Sequence, residues 1–399
     1  QESDSGLVAF GYSTSQSEGS IPAIHLSNEM ANQLFRPHGH SIASIQEKMD
    51  TSLKSVQFEM NNLELSAHID LKEKTIRGGN VVGMIRGRDR DLRDEYIVLG
   101  AHFDHLGMGG HHTGSRKKDT TAVHNGADDN ASGTAGILEL SQKLFAHRNK
   151  LKRSVLFIAF DAEEKGLLGS KHFIENPTVS KENIVAMLNL DMVGRLDDST
   201  LNVGAIGTSP FFEPLIDSLA NDIEMAIGKS FSGYGPSDHA SFYVNDIPVL
   251  FFFSGFHHQY HLPEDDWTLI NAKGEKDILH FVYDVSIALN RVSERPLFTE
   301  AGPKEPPKRR RTGGVTLGII PAYGGGSSDE GMAIDGVSTK DGPAGKAGMK
   351  KGDVLIEING KKLLNIHEYM GRMGELKKGQ KITVKVLRHG KTLTLDVQL

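Results

Sequence analysis

Ser154-Val155-Leu156-Phe157-Ile158-Ala159-Phe160-Asp161-Ala162-Glu163-Glu164-Lys165-Gly166 is the stretch from which the rest of the chain can be read. After Ser154 its opening run is apolar and rich in β-formers, as in a strand buried on both faces of a parallel sheet. Two adjacent glutamates stand where that strand ends, and open α/β sheets build their sites beyond the carboxyl ends of their strands. Neighbouring side chains diverge there, so one carboxylate can bind a metal while the other faces a water on it. For a lone Glu-Glu pair, a solvated loop is the ordinary outcome. Chemistry needs partners elsewhere in the chain.

Similar strand signatures recur at Val81-Val82-Gly83-Met84-Ile85, Tyr96-Ile97-Val98-Leu99, Ile184 to Leu190 and Pro248-Val249-Leu250-Phe251-Phe252-Phe253. Leu63-Glu64-Leu65-Ser66-Ala67-His68-Ile69 alternates like a half-buried strand, and Arg77-Gly78-Gly79-Asn80 turns the chain into Val81. Between strands, Ser132 to Phe145 places Ile137, Leu138, Leu140, Leu144 and Phe145 mostly on one helical face. Asp277 to Val292 does the same with Ile278, Phe281, Val282, Val285 and Leu289. This alternation predicts an α/β fold, a mostly parallel sheet sandwiched by helices.

The expected domain that carries the sheet is 56–298. Before it, residues 1–55 are Ser-rich, with one strand-then-helix pattern in which Ser27 or Asn28 caps the helix. After it, 299–312 form a Pro-rich basic linker, and 313–399 a small β/α domain.

At 399 residues the chain has room for two or three domains with their own cores. A net charge of −6 and a pI near 6.3 argue against a nucleic-acid partner, which needs a concentrated basic face. No apolar run reaches the roughly 18 residues of a membrane helix. Cysteine is absent, which removes disulfides and a thiol nucleophile. The chain starts at Gln1 rather than Met, as a trimmed chain does, and a periplasmic or secreted address is the expectation.

Four further segments fall at strand ends or helix starts around the opening glutamates. They are His102-Phe103-Asp104-His105, Gly126-Ala127-Asp128-Asp129-Asn130-Ala131-Ser132-Gly133, Asn189-Leu190-Asp191-Met192 and Tyr260-His261-Leu262-Pro263-Glu264-Asp265. Alone, a His near a strand end is usually packed and an Asp before a helix is usually a cap. Together they gather imidazole and carboxylate donors, without thiolate, on one side of one sheet. Such a donor set suits zinc or manganese. The carboxylates would repel one another unless divalent ions balanced them.

This series is similar to the co-catalytic di-zinc aminopeptidase family, across roughly Val56 to Pro296. The resemblance implies two Zn2+ ions and peptide substrates. His102 and Asp191 would hold one zinc, Glu164 and His261 the other, and Asp129 would bridge them, with Asp128 as the rival bridge. Glu163 would be the general base, and Asp104 would receive the other ring N–H of His102. Tyr260 is a candidate donor to the oxyanion, weighed against plain packing. Gly342-Pro343-Ala344-Gly345-Lys346-Ala347-Gly348-Met349 and Lys351-Gly352-Asp353-Val354-Leu355-Ile356-Glu357-Ile358-Asn359-Gly360 resemble a PDZ domain. That resemblance implies a groove at Val315 to Ile319 that takes a peptide or protein tail by strand addition. Residues 21–34 resemble the end of a protease-associated domain.

Other residues have plainer expectations. Ser237-Asp238-His239 cannot form a triad, since consecutive residues lack the geometry, and reads as pocket wall. Lys165 reads as a solvated charge. Gly109 to Asp119 reads as a mobile loop at the mouth of the site, and His111, His112, His257 and His258 as loop residues rather than ligands. A carboxypeptidase or dipeptidase on this fold would need a cation for a terminal carboxylate. Arg195 is the candidate, against a structural salt bridge. A glutaminyl-cyclase-like enzyme is another alternative, but the intact Asp-Asp-Asn-Ala-Ser-Gly segment favours hydrolysis. A non-catalytic peptide-binding protein would be expected to have lost ligands.

Overall fold

The computed structural model describes residues 26–60, 66, 76–111, 113–196, 200–304, 315–321, 327–328, 331–338, 340–363, 369, 372–373 and 376–399. The chain divides into two compact units, Gln1–Arg77 and Gly78–Leu399. In the first, helix α1 (Asn28–Phe35) starts where the Ser27 side chain accepts from the Met30 N–H at 3.2 Å. Helix α2 (Ile42–Ser52) opens with a reciprocal cap between Ser41 and Ser44. The strand expected from 21, most of the one at 63–69, the linker from 305 to 312 and His112 lie outside the described residues.

The second unit contains the expected α/β sheet. Its strands are β1 (Val81–Ile85), β2 (Tyr96–His102), β3 (Ser154–Phe160), β4 (Ile184–Leu190), β5 (Thr200–Gly204), β6 (Ala226–Lys229) and β7 (Val249–Phe253). They lie in the order β1-β3-β2-β4-β7-β5-β6. β3, β2, β4 and β7 run parallel, while β1 pairs antiparallel with β3 and β5 antiparallel with β7. The register sets His102 opposite Phe160, Gly100 opposite Asn189 and Leu190 opposite Phe252. The ends of all four parallel strands therefore open on the same edge.

Alternation along β2 and β3 feeds two cores. Ile97, Leu99, Ala101, Val155 and Phe157 pack with Ile137, Leu140 and Leu144 of α3 (Gly133–Ala146) and with Ile278, Phe281 and Val285 of α7 (Ala272–Arg291). Val98, Leu156, Ile158 and Phe160 pack on the other face, against Phe173 of α4 (Leu168–Glu175) and Phe242 of α6 (His239–Tyr243). Helix α5 (Phe212–Ala220) lies against α7. Leu138 and Phe145, expected on the buried face of α3, are 59% and 55% exposed. They line a groove with Val81 and Met84 where the sheet ends, among the described residues, at β1.

Residues 315–399 contain a separate antiparallel sheet. Its strands are β8 (Ile319–Pro321), β9 (Ser327–Ser328), β10 (Gly331–Val337), β11 (Val354–Ile358), β12 (Lys361–Lys362), β13 (Lys381–Arg388) and β14 (Lys391–Gln398), with a short helix α8 (Pro343–Lys346). Leu317, Ile334, Leu355, Val384 and Val386 form its core. The buried Asp353 carboxylate accepts a two-pronged bond from Arg388 at 2.6 and 2.7 Å and the Lys350 N–H at 2.9 Å, which offsets its desolvation. No helix among the described residues is long and apolar enough to cross a membrane.

Candidate metal centre and active site

The site lies at the shared carboxyl edge of β2, β3, β4 and β7. His102 is the last residue of β2 and is almost fully buried. Its Nε2 stands 3.3 Å from Asp129 Oδ1 and 3.4 Å from Asp191 Oδ1. Asp191 directly follows β4, and Glu163 and Glu164 occupy the turn after β3. His261 Nε2 stands 3.2 Å from Asp129 Oδ2 and 3.6 Å from Glu164 Oε2. All five residues expected to hold metal are thus brought together, and Asp129 presents one oxygen to each of two imidazole–carboxylate groups.

Asp128 points elsewhere. Its Oδ1 accepts from the Gly194 N–H at 2.7 Å and the Ser132 hydroxyl at 3.0 Å, and its Oδ2 faces His257 Nε2 at 3.2 Å. The Asp265 carboxylate accepts the N–H groups of both Asp128 (2.9 Å) and Asp129 (3.1 Å). Asn130 ties this turn to the end of β4, donating to the Leu190 carbonyl at 3.0 Å and accepting from Met192 N–H at 3.2 Å. Gly126 (φ 59°) begins the turn, and a Cβ there would lie 2.5 Å from the Asp129 carbonyl and 2.6 Å from the His105 ring. The Asp129–Asn130 peptide bond is cis. Ala162, Met192 and His261, each at or beside a carboxylate or imidazole of the site, have φ of 55°, 55° and 56°. Such backbone is costly for non-glycine residues and gathers at functional sites.

His102 differs from expectation in its outer bond. Its Nδ1 lies 3.1 Å from the Asp104 carbonyl and 3.7 Å from the carboxylate, so the main chain orients the ring. The Asp104 carboxylate instead accepts the N–H groups of Glu163 (2.9 Å) and Glu164 (3.3 Å). It fixes the turn that aims both glutamates.

The electrostatics follow from this crowding. Burial alone would lower the His102 pKa, but Asp191, Asp104 and Asp129 outweigh it and hold it well above the ordinary value. Burial would likewise lower His261, and Asp129 and Glu164 reverse the sign. Burial raises Asp129, yet hydrogen bonds from His102 and His261 bring it below the usual carboxylate range. Glu163 is pushed well up by burial and by the charges of Asp238, Asp191 and Glu164. Tyr260 stacks on His261 with ring centroids 3.9 Å apart, and burial beside the carboxylates raises its phenol so far that it remains a donor. Met192, Phe251, Phe253 and Phe256 add an apolar wall to the same cavity.

A sequence model of peptidase family M28 matches residues 80–286, just over half of the chain. The chain belongs to peptidase family M28. A second model, the PDZ domain, matches residues 328–399. A glutamate carboxypeptidase 2 homolog of Caenorhabditis briggsae is 30% identical over 200 residues, which are 47% of this chain and 23% of that protein. Leucine aminopeptidase 1 of Trichophyton equinum is 30% identical over 181 residues, 42% of this chain and 45% of its own. The chain spans less than half the length of these curated relatives. Among solved structures, an aminopeptidase from Aneurinibacillus sp. strain AM-1 is 26% identical with a TM-score of 0.43, covering 57% of this chain and 50% of that one.

Beside the M28 residues, other expectations resolve as follows. The Arg195 guanidinium donates to Gln259 Oε1 at 3.0 Å and faces Asp265 at 3.9 Å. His257 lies on the loop after β7 as expected, with its side chain only 6% exposed and packed against Asp128 and Asp265. The 109–119 loop is tied to the His261 segment. Gly114 O lies 3.1 Å from His261 Nδ1, and Arg116 donates to the carbonyls of His258 and Tyr260, both at 3.0 Å. Ser237, Asp238 and His239 are buried. Ser237 accepts from Asn189 at 2.8 Å and His239 stacks on Phe251, as a pocket wall would. Burial pushes Asp238 up to about 7 and His239 down to about 3. Sequence reasoning missed His105, Asp265 and Asn130. All three stand in quoted motifs, but Asp265 and Asn130 bind main-chain groups, partners that sequence does not display.

Proposed function

We propose that this chain is an aminopeptidase that uses two zinc ions to release N-terminal residues from peptides. The observation that carries this reading is the convergence of two imidazole–carboxylate groups on opposite oxygens of Asp129. Their fit to metal rests on the donors themselves. They are buried nitrogens and carboxylate oxygens without thiolate, of the kind zinc accepts, and Glu164 Oε1 is buried with no hydrogen-bond partner. His102 and Asp191 would hold one ion, Glu164 and His261 the other, and Asp129 both. Such ions, when bound, supply Lewis acidity that lowers the pKa of water and polarises a carbonyl.

The protein's own groups do the remaining work. Glu163, aimed by Asp104, takes a proton from the attacking water and delivers it to the leaving amine. The Tyr260 hydroxyl donates to the oxyanion, and the Phe251, Phe253, Phe256 and Met192 wall receives an apolar first side chain. The bond from Arg195 to Gln259 weighs against capture of a terminal carboxylate. In the PDZ-like domain, β8 stands at the end of the described strand order, where an extended tail would add as a strand.

Digestion of free, N-blocked and C-blocked forms of one peptide with an apolar first residue, read by mass spectrometry, tests this. Stepwise loss of the first residue from the free and C-blocked forms, stopped by N-blocking and by chelation, is expected. Cleavage of the N-blocked peptide from its C-terminus, or cyclisation without cleavage, would contradict it.

A further inference from the structure

His261 hangs on a loop, so its ring has to be aimed by something other than the sheet. The Gly114 carbonyl accepts its Nδ1–H at 3.1 Å, and the Arg116 N–H donates to the His261 carbonyl at 3.1 Å. Ser115 lies between these two bonds. A peptide group is planar, so the Gly114 carbonyl turns with the Ser115 N–H, and the Arg116 N–H with the Ser115 carbonyl. Whatever fixes Ser115 therefore fixes both contacts to His261.

The strongest hold on Ser115 is His124. The Ser115 hydroxyl donates to His124 Nε2 at 2.8 Å, and its oxygen accepts the Lys117 N–H at 3.1 Å. His124 Nδ1 donates to the Ala122 carbonyl at 3.0 Å, which leaves Nε2 as the acceptor. The Ser115 N–H reaches only Thr113 Oγ1, at 3.3 Å. Both Ser115 and His124 are buried, where a lost polar partner is costly. The ring itself stands on a short antiparallel ribbon. Gly109 bridges Thr121, the Ala122 N–H donates to the Met108 carbonyl at 2.9 Å, and the His124 N–H donates to the Gly107 carbonyl at 2.8 Å. Gly109 (φ 65°) makes room for the imidazole, since a Cβ there would lie 2.1 Å from it.

We propose that His124 is a positioning residue for His261, acting through the Ser115 hydroxyl to aim the ligand ring. Neither Ser115 nor His124 lines the cavity that holds the ligands, so the effect is carried through the main chain on either side of Ser115. The proposal rests on the two-ion reading above. It makes the 109–124 segment a support of one ion only.

The test compares wild type, Ser115→Ala, His124→Ala and the double variant, stripped of metal and titrated with Zn2+ and with Co2+. Each single variant is expected to bind one ion like wild type and the other about 10–100-fold more weakly. The visible absorption of that Co2+ ion should change. The double variant should be no weaker than the weaker single one, because both substitutions remove the same bond. Wild-type affinities with an unchanged Co2+ spectrum in the folded single variants would overturn the role of His124, even with a lowered melting midpoint. So would a double loss equal to the sum of the two single losses. Should His124→Ala fail to fold, Ser115→Ala, which removes one oxygen only, decides by the same readouts. A wild type that binds fewer than two ions would overturn the two-ion reading and this proposal with it.

Discussion

The two halves of the centre are built differently. In the first, His102 ends β2 and Asp191 follows β4, and these strands are direct neighbours in register. The hydrogen-bonded sheet alone sets their separation, and they are 1% and 14% exposed. In the second, Glu164 sits on a turn and His261 on a loop with φ 56°. That half is held from outside, by Asp104 under the turn and by Gly114 and Arg116 behind the loop. A ligand on a sheet inherits rigidity from the core; one on a loop needs a separate support. The first half should therefore keep its ion under conditions that empty the second. Asp129, placed between them by Asp265 and Asn130, is the point at which they depend on each other.

Removing that shared point has the largest expected effect. Asp129→Ala should reduce both halves to weak binding and turnover to background, read by metal analysis after gel filtration. Retention of one tight ion would show that the halves are independent. Next, Glu163→Gln should leave both ions in place and lower kcat by about 10²–10⁴-fold, since it removes only proton transfer. Loss of metal in that variant would make Glu163 a ligand instead. A smaller effect, confined to the second half, is expected from Arg116→Ala. It should weaken one ion by about 10–100-fold and leave the other unchanged in a calorimetric titration. Equal weakening of both would erase the proposed asymmetry.

The smallest effect lies outside both halves. Glu275 is pushed up to about 7 by burial and by Asp128 and Glu139. Its folded pKa exceeds its unfolded one, so its contribution is complete below the ordinary value of 4.5 and is lost as pH rises through about 7. Glu275→Gln should melt about 2–4 °C higher than wild type at pH 8, with the gap closing at pH 5. A gap independent of pH would assign the effect to packing.

The strands that carry the centre were legible because parallel strands buried on both faces are continuous apolar runs. Ile184 to Leu190 matches β4 residue for residue, with all seven buried; Val81 to Ile85 matches β1 as well, although β1 is antiparallel and mostly exposed. The metal-binding residue types were legible because strand ends are where such donors gather. Leu138 and Phe145 were misplaced because periodicity identifies an apolar face without showing where the sheet beneath it stops. The bond from His102 to the Asp104 carbonyl was hidden, as were the supports from Asp265, Asn130 and Gly114. Each runs through main-chain atoms, which every residue has. His105 was visible in its motif but had no distinguishing spacing.

Anomalous X-ray diffraction from zinc-soaked crystals tests the central claim most directly. Two peaks are predicted, one against His102 and Asp191 and one against Glu164 and His261, each touching a different oxygen of Asp129. A single peak, or one beside Asp128 and His257, would contradict it.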